Sequence, residues 1–274
     1  MKKVIGVIGG KGIMGSFFAE YFKKIGHEVF ISDQKTELTN KELIEKSDVV
    51  IFSVPLHLTE KIIRQCMKWT RKSQILMDVT SLKVRPIKEM MKSPAEVIGL
   101  HPMFRAGKNG LQNQVVVMCP GRAQKKTIKE VHQWFTQGGA KIVEMKAKEH
   151  DQLMSVIQVL LHFHTIVLGN TLEKLKIPLK KTLEIASPIY RLEMDMIGRL
   201  FSQDPLLYAA IEMLNPENKK VIHTLEKETK KLSKIITKKN FTSFTKSFQK
   251  TSQFFGSFKD EAMKKIDEML KKRL

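Results

Sequence analysis

Cysteine is nearly absent from this chain of 274 residues. The two present, Cys66 and Cys119, form no metal-binding or redox spacing, which fits a chain kept in a reducing cytoplasm. Long apolar runs are missing as well. The stretch VIGVIGG is short and broken by glycine. No run approaches the ~20 residues that cross a bilayer, so neither a secretory leader nor a membrane span is expected. Acidic residues are the minority, 28 Asp and Glu against 48 Lys and Arg, for a formal charge of +20. Such a field concentrates anions of every class. The lysines are scattered, however, and no segment alternates basic and aromatic residues as a base-stacking surface does. A lysine-rich surface is the plainer account, and no nucleic-acid partner is expected.

What is present is an ordinary 42% of hydrophobic residues, in a chain long enough for two domains. Residues 3 to 145 alternate seven short aliphatic runs with helical stretches: KVIGVIG, EVFIS, DVVIFSV, QILMDV, EVIGL, QVVVMC and AKIVEM. Several are apolar on both faces, as strands of a parallel sheet covered by helices on each side must be. From about Lys148 only helical periods remain, expected over 149–174, 180–201, 204–214, 217–238 and 240–271, with breaks at KIPLK and LNPEN. The expectation is an α/β domain over 1–147 with a doubly wound sheet, then an all-helical domain over 148–274. There is no internal repeat. The basic segment KKVIHTLEKETKKLSKIITKK has one narrow apolar stripe, Val221, Leu225, Leu232 and Ile236. It reads as a helix with a solvated lysine face rather than a nucleic-acid or membrane helix.

Gly10, Gly12 and Gly15, spaced around Lys11, Ile13 and Met14, form G-x-G-x-x-G. Alone the string is weak. Here a strand leads into it and an apolar helix leaves it, the setting of a Rossmann-type dinucleotide site. The first glycine is expected to make the turn, the second to admit a pyrophosphate, and the third to let helix and strand pack. The helix N-terminus then offers free N–H groups to the phosphates. Asp33 closes the second strand, where a carboxylate accepts from ribose hydroxyls and repels a 2′-phosphate, favouring NAD over NADP. Nearby Lys35 softens that preference. Ser53, Val54 and Pro55, after the third strand, are expected to line the nicotinamide side. Thr59 either joins them or caps the next helix.

Five strings then carry a resemblance: SVPLHLTE (53–60), DVTSLK (78–83), GLHPMF (99–104), KEHDQLMSVIQVLLHF (148–163) and SPIYRLEMDMIGRLFSQDP (187–205). Together, in this order, they resemble prephenate dehydrogenase, in particular the dehydrogenase part of bacterial enzymes fused to chorismate mutase. With the first strand at residue 4 there is no room for a mutase domain, which is expected on a separate chain if present. The resemblance implies NAD-dependent oxidative decarboxylation of prephenate to 4-hydroxyphenylpyruvate in tyrosine biosynthesis. It also implies a homodimer built through the helical domain, and feedback inhibition by tyrosine. Arogenate dehydrogenase, with the same chemistry on a transaminated side chain, is the alternative. From other classes, a basic nucleic-acid-binding protein on a Rossmann scaffold and an NAD-sensing regulator without turnover also stay open.

His101 is the candidate catalytic base: on position alone it is as readily a histidine that satisfies a loop backbone, and the match of GLHPMF to the family implies catalysis. His101 follows the fifth strand, and open α/β sheets bind ligands outside their C-terminal strand ends. A neutral imidazole there accepts the substrate's hydroxyl proton, and its ordinary pKa of ~6.5 suits the task. Substrate binding is expected from Arg199, His150, Ser81 and Lys83, with Arg191 as structural or supporting. Ile189, Leu192, Met196 and Leu200 share a helical face, and Arg199 projects only ~20° from Leu192, whereas Arg191 points ~100° away. A guanidinium beside an apolar face needs a partner, and the resemblance implies the ring carboxylate. On position alone His150 is as readily a helix-start residue paired with Asp151. His162 is a core or a pocket residue, and His132 and His164 are structural. One departure stands out: members of this type continue HPMF with glycine and proline, whereas this chain has Arg105, Ala106 and Gly107.

Overall fold

The computed structural model describes residues 2–107 and 110–271. It divides into two compact units, residues 1–159 with 204–218, and residues 160–203 with 219–274.

All seven aliphatic runs of the first unit become strands: β1 (Val4–Ile8), β2 (Glu28–Ser32), β3 (Val49–Phe52), β4 (Ile75–Asp78), β5 (Glu96–Pro102), β6 (Val115–Pro120) and β7 (Lys141–Glu144). They form one sheet in the order β2-β1-β3-β4-β5-β6-β7. Alternate residues face opposite layers. Ile5, Val7, Val49, Ile51, Ile75 and Met77 pack against α1 (Ile13–Lys24) and α5 (Lys125–Thr136) through Phe18, Phe22, Trp134 and Phe135. Ile8, Val50, Phe52 and Leu76 face the other way, toward α2 (Asn40–Lys46), α3 (Leu56–Cys66) and α4 (Val84–Met90). β3 and β4 are buried throughout, which is why β3 reads as an unbroken apolar run and β4 as one closed only by Asp78.

The sheet is not parallel throughout. β5 and β6 pair antiparallel, while every other neighbouring pair is parallel. A parallel neighbour needs a crossover, usually a helix. Residues 103–114 contain no helix among those described, so β6 turns back beside β5.

The unit boundary also differs from the one expected between 147 and 148. Helix α6 (Ala147–Met154) stays with the sheet unit. It continues through a π-helical turn (Ser155–Leu160) into α7 (Leu161–Leu175), so the chain leaves the first unit in mid-helix. Two polar anchors explain this. Asp151 takes hydrogen bonds from the start of α4, and Asn215 Nδ2 donates to the Asp151 carbonyl at 2.7 Å. Asn215 follows α10 (Pro205–Leu214), which packs on α3 in the same unit. The continuous helix 147–175 is long and apolar enough to cross a membrane by length and composition, a test that core helices also pass. The expectation that no segment reaches that length is corrected accordingly.

The second unit contains α7, α8 (Leu179–Glu184), α9 (Pro188–Phe201), α11 (Asn218–Thr237), α12 (Phe241–Phe255) and α13 (Phe258–Lys271). Two helices expected to be single are each split. Ser187 caps α9 by accepting from Tyr190 N–H at 3.2 Å, and Pro188 opens the first turn, separating α8 from α9. Gly256, at φ +52°, ends α12 in a backbone region that side chains disfavour.

Candidate active site

The glycine turn lies between β1 and α1, at the point where the chain's strand order reverses between β1 and β3. Gly9, rather than Gly10, makes the tight turn, with φ +81°. Gly10 is required for packing, because a Cβ there would lie 2.5 Å from Ile31 Cβ. At Gly15 a Cβ would sit 2.1 Å from the Gly9 carbonyl oxygen, so only glycine lets α1 close on β1. Gly12 precedes α1 and supplies no side-chain cap. The first-turn N–H groups, on Ile13 to Gly15, therefore have no intrahelical acceptor and can receive phosphate oxygens. Ile13 is exposed, whereas Met14 turns its side chain into the core.

Asp33 stands just past the end of β2. Its Oδ2 accepts from Lys11 N–H at 3.0 Å and its Oδ1 from Gln34 N–H at 2.8 Å. Both contacts hold the carboxylate at the edge of a cleft of about 680 Å³ lined by Gly9, Lys11, Gly12, Asp33, Ser53 and Pro55, with Val54 beside them. Lys35 contributes its backbone carbonyl, which accepts from Lys11 Nζ at 2.9 Å. Thr59 takes no part here, since its hydroxyl donates back to the Pro55 carbonyl at 3.1 Å within α3. The cleft fits a dinucleotide. It has free helix N–H groups for phosphate, a fixed carboxylate for ribose hydroxyls, and glycine where a side chain would block the turn.

A second group gathers at the C-terminal end of β5. His101 belongs to the strand itself, paired with Val117, rather than to the loop beyond it. It shares a sheet face with Val97 and Gly99, and only 4% of it is exposed. Its Nδ1 lies 2.9 Å from His150 Nε2, and His150 Nδ1 lies 2.7 Å from Asp151 Oδ1. Among the described residues His150 is the only ring or hydrogen-bond partner of the His101 side chain. Burial, then the neighbouring His150 and the Lys83 ammonium, hold the His101 pKa well below the usual 6.5. A neutral imidazole able to accept a proton is the result.

Two residues expected to touch substrate do not face a cleft. His150 is fully buried behind His101. Lys83 is fully buried too, paired with Asp78 and donating to the Leu100 carbonyl at 2.6 Å. A lysine with that burial cannot sit as a solvated carboxylate clamp; it ties β4 to the β5 residue preceding His101. Asp78 is further held by Thr80, whose hydroxyl and N–H donate to Oδ2 at 2.6 and 3.1 Å. Ser81, in the same loop, is half-buried. Asp78 is a buried carboxylate of this group that the motifs did not single out, whereas the pairing of His150 with Asp151 was open from their adjacency. The available signal was an aspartate closing an otherwise apolar strand, ILMD, with a lysine five residues on.

In the second unit Arg199 is exposed, in the last turn of α9. The buried side chains of that helix are Ile197 and Leu200, while Ile189 and Met196 are exposed, so the expected apolar face is rotated toward Glu193 and Ile197. Arg191 donates to the Leu183 carbonyl at 2.7 Å, a structural tie between α9 and α8.

Residues 21–144 match the family model described as prephenate dehydrogenase, nucleotide-binding domain, and residues 146–250 match prephenate dehydrogenase, dimerization domain. The chain belongs to the prephenate dehydrogenase family. It is 35% identical over 272 residues to a probable arogenate/prephenate dehydrogenase of Methanocaldococcus jannaschii, covering 92% of this chain and 61% of that protein. It is 36% identical over 268 residues to the T-protein of Haemophilus influenzae, covering 96% and 70%. Among solved structures it is similar to prephenate dehydrogenase from Aquifex aeolicus in complex with hydroxyphenyl propionate and NAD+, with a TM-score of 0.73 at 19% identity, covering 96% and 98%. Synechocystis arogenate dehydrogenase gives 0.72 at 18% identity, covering 93% and 99%. The match to the family's nucleotide-binding domain begins at residue 21 and takes in Asp33 and His101, and NAD is the cofactor that the cleft beside the glycine turn fits.

Proposed function

We propose that the chain catalyses NAD-dependent oxidative decarboxylation of prephenate to 4-hydroxyphenylpyruvate. The observation that carries this reading is His101: a buried, neutral imidazole at the C-terminal end of β5, in the same unit as a dinucleotide cleft. Bound NAD supplies the hydride acceptor. As hydride leaves ring C4, His101 accepts the proton of the C4 hydroxyl, and the developing carbonyl draws electrons from the breaking bond between C1 and its carboxylate. Carbon dioxide departs, the ring becomes aromatic, and the proton returns to the phenolic oxygen. Atoms and charge balance with one hydride transferred and no net proton released. Arg199 is assigned to the ring carboxylate, and Ser81 to a hydrogen bond near the reacting hydroxyl. Lys83 and His150 act from behind, holding the strand end and the base. A homodimer through the helical region follows from the family's dimerization domain, and a cytoplasmic setting suits the reaction.

Arogenate carries an ammonium where prephenate carries a keto group. The formal charge of +20, with the exposed Arg105 three residues past β5, favours the more anionic substrate. The deciding experiment follows reduced-nicotinamide absorbance after mixing protein and NAD with prephenate or arogenate, with His101→Asn as control. Prephenate is expected to give the faster turnover and His101→Asn almost none. A strong preference for arogenate, or an undiminished variant, would overturn the assignment.

A further inference from the structure

The geometry points to Asp151 as a positioning residue that, through His150, fixes which nitrogen of His101 acts as the base. This rests on the reading of His101 as the proton acceptor. Helix α4 has no cap from its own chain start. Asp151, reaching from α6, caps it instead, with Oδ1 accepting from Lys83 N–H at 2.8 Å and Oδ2 from Val84 N–H at 3.0 Å. A carboxylate bound by two backbone donors is held as an acceptor. His150 Nδ1, at 2.7 Å from Oδ1, must therefore carry the hydrogen. Neutral imidazole has one N–H, so His150 Nε2 presents a lone pair. His101 Nδ1 must donate to it across 2.9 Å, and the lone pair of His101 is thereby placed on Nε2.

The three groups lie on two elements, β5 for His101 and α6 for the pair behind it, with α4 anchoring the carboxylate. His150 is fully buried and Asp151 is 3% exposed, so water does not compete for these bonds. When His101 takes a proton at Nε2, its Nδ1–H bond can break as an N–H bond forms at His150 Nε2. The positive charge then stands against the Asp151 carboxylate rather than near the Lys83 ammonium. Reversing the shift returns the proton.

Long-range ¹H–¹⁵N correlation of the histidine rings in the full chain reads the tautomers without substrate. The expected result is hydrogen on Nδ1 of both His101 and His150; hydrogen on Nε2 of His101 would overturn the inference. In kinetics, Asp151→Asn is expected to lower kcat about 10²- to 10⁴-fold, the scale seen when a carboxylate orienting a catalytic histidine is neutralised, with Kd for NAD changed less than about threefold. His150→Gln keeps an acceptor toward His101 and a donor toward Asp151 and should retain kcat within about tenfold, whereas His150→Leu should lose at least about 10²-fold. Equal rates for His150→Gln and His150→Leu would overturn the inference, because a merely structural role does not distinguish them by hydrogen bonding. If Asp151→Asn does not fold, the ring spectra and the two His150 variants decide. A wild-type chain that forms no reduced nicotinamide with prephenate would defeat the functional reading alone, leaving the tautomers to be judged on their own spectra.

Discussion

At the scale of single residues, the site is built from charges that the fold takes out of water. Lys83 and Asp78 are both fully buried, and Gly99 leaves room for the lysine stem: a Cβ there would lie 2.7 Å from Ile87 Cδ1 and 3.0 Å from Lys83 Cδ. Removing one partner strands the other. Lys83→Met is expected to cost about 3–5 kcal/mol in urea denaturation, and Lys83→Met with Asp78→Leu substantially less, because an uncompensated buried charge is worse than none. His101 sets a pH dependence whose sign follows from its lowered pKa. Below the unfolded value of ~6.5 the unfolded chain takes up a proton that the folded chain refuses, so stability is lost as pH falls from there toward the folded value. His101→Asn should therefore lose less stability than wild type between about pH 7.5 and about pH 5. In the wild type, the acid limb of kcat/KM should lie below the ordinary histidine range. A limb near 6.5 would show that His101 is more solvated than its burial implies.

At the scale of elements, the sheet was legible because its strands are buried on both faces, and burial on both faces writes itself as aliphatic runs. The glycine spacing was legible for a similar reason, since the positive φ of Gly9 and the close packing at Gly10 and Gly15 restrict residue type locally. What stayed hidden depends on partners distant in sequence. Lys83 looks like a solvated cation until Asp78 and the Leu100 carbonyl are placed around it. His150 looks like a pocket residue until α6 packs behind β5. The helix breaks show the same limit in smaller form: Ser187 with Pro188 and Gly256 are ordinary stop signals, overlooked inside long helical periods. Each should have a local energetic signature. Ser187→Ala removes the acceptor for Tyr190 N–H and is expected to cost about 1 kcal/mol, while Ser187→Asp should restore it. Thermal or urea unfolding of the three proteins measures the difference. A neutral Ser187→Ala would mean that Pro188 alone sets the start of α9.

At the scale of the whole molecule, one surplus of positive charge acts on two associations in opposite directions. A dianionic substrate is drawn toward a chain of formal charge +20, so raising salt should raise KM for prephenate by screening that attraction. Two such chains repel each other, and the same salt should tighten a dimer. Association therefore has to come from apolar contact. On α12, Phe241, Phe244 and Phe248 are exposed, with Phe244 and Phe248 stacked at 6.4 Å, and all three fall within the part matched by the family's dimerization domain. Phe248→Glu puts a charge into that stripe and should shift the chain toward monomer in sedimentation equilibrium, with little loss of NAD binding in the other unit. The comparison has its own control. If wild type and Phe248→Glu sediment alike at every salt concentration, this stripe is not where copies meet. If the dimer weakens as salt rises, ion pairs rather than phenylalanines hold it. Tightening with salt, lost in Phe248→Glu, is the outcome that assigns cohesion to the aromatic stripe and leaves the lysine surplus to substrate capture.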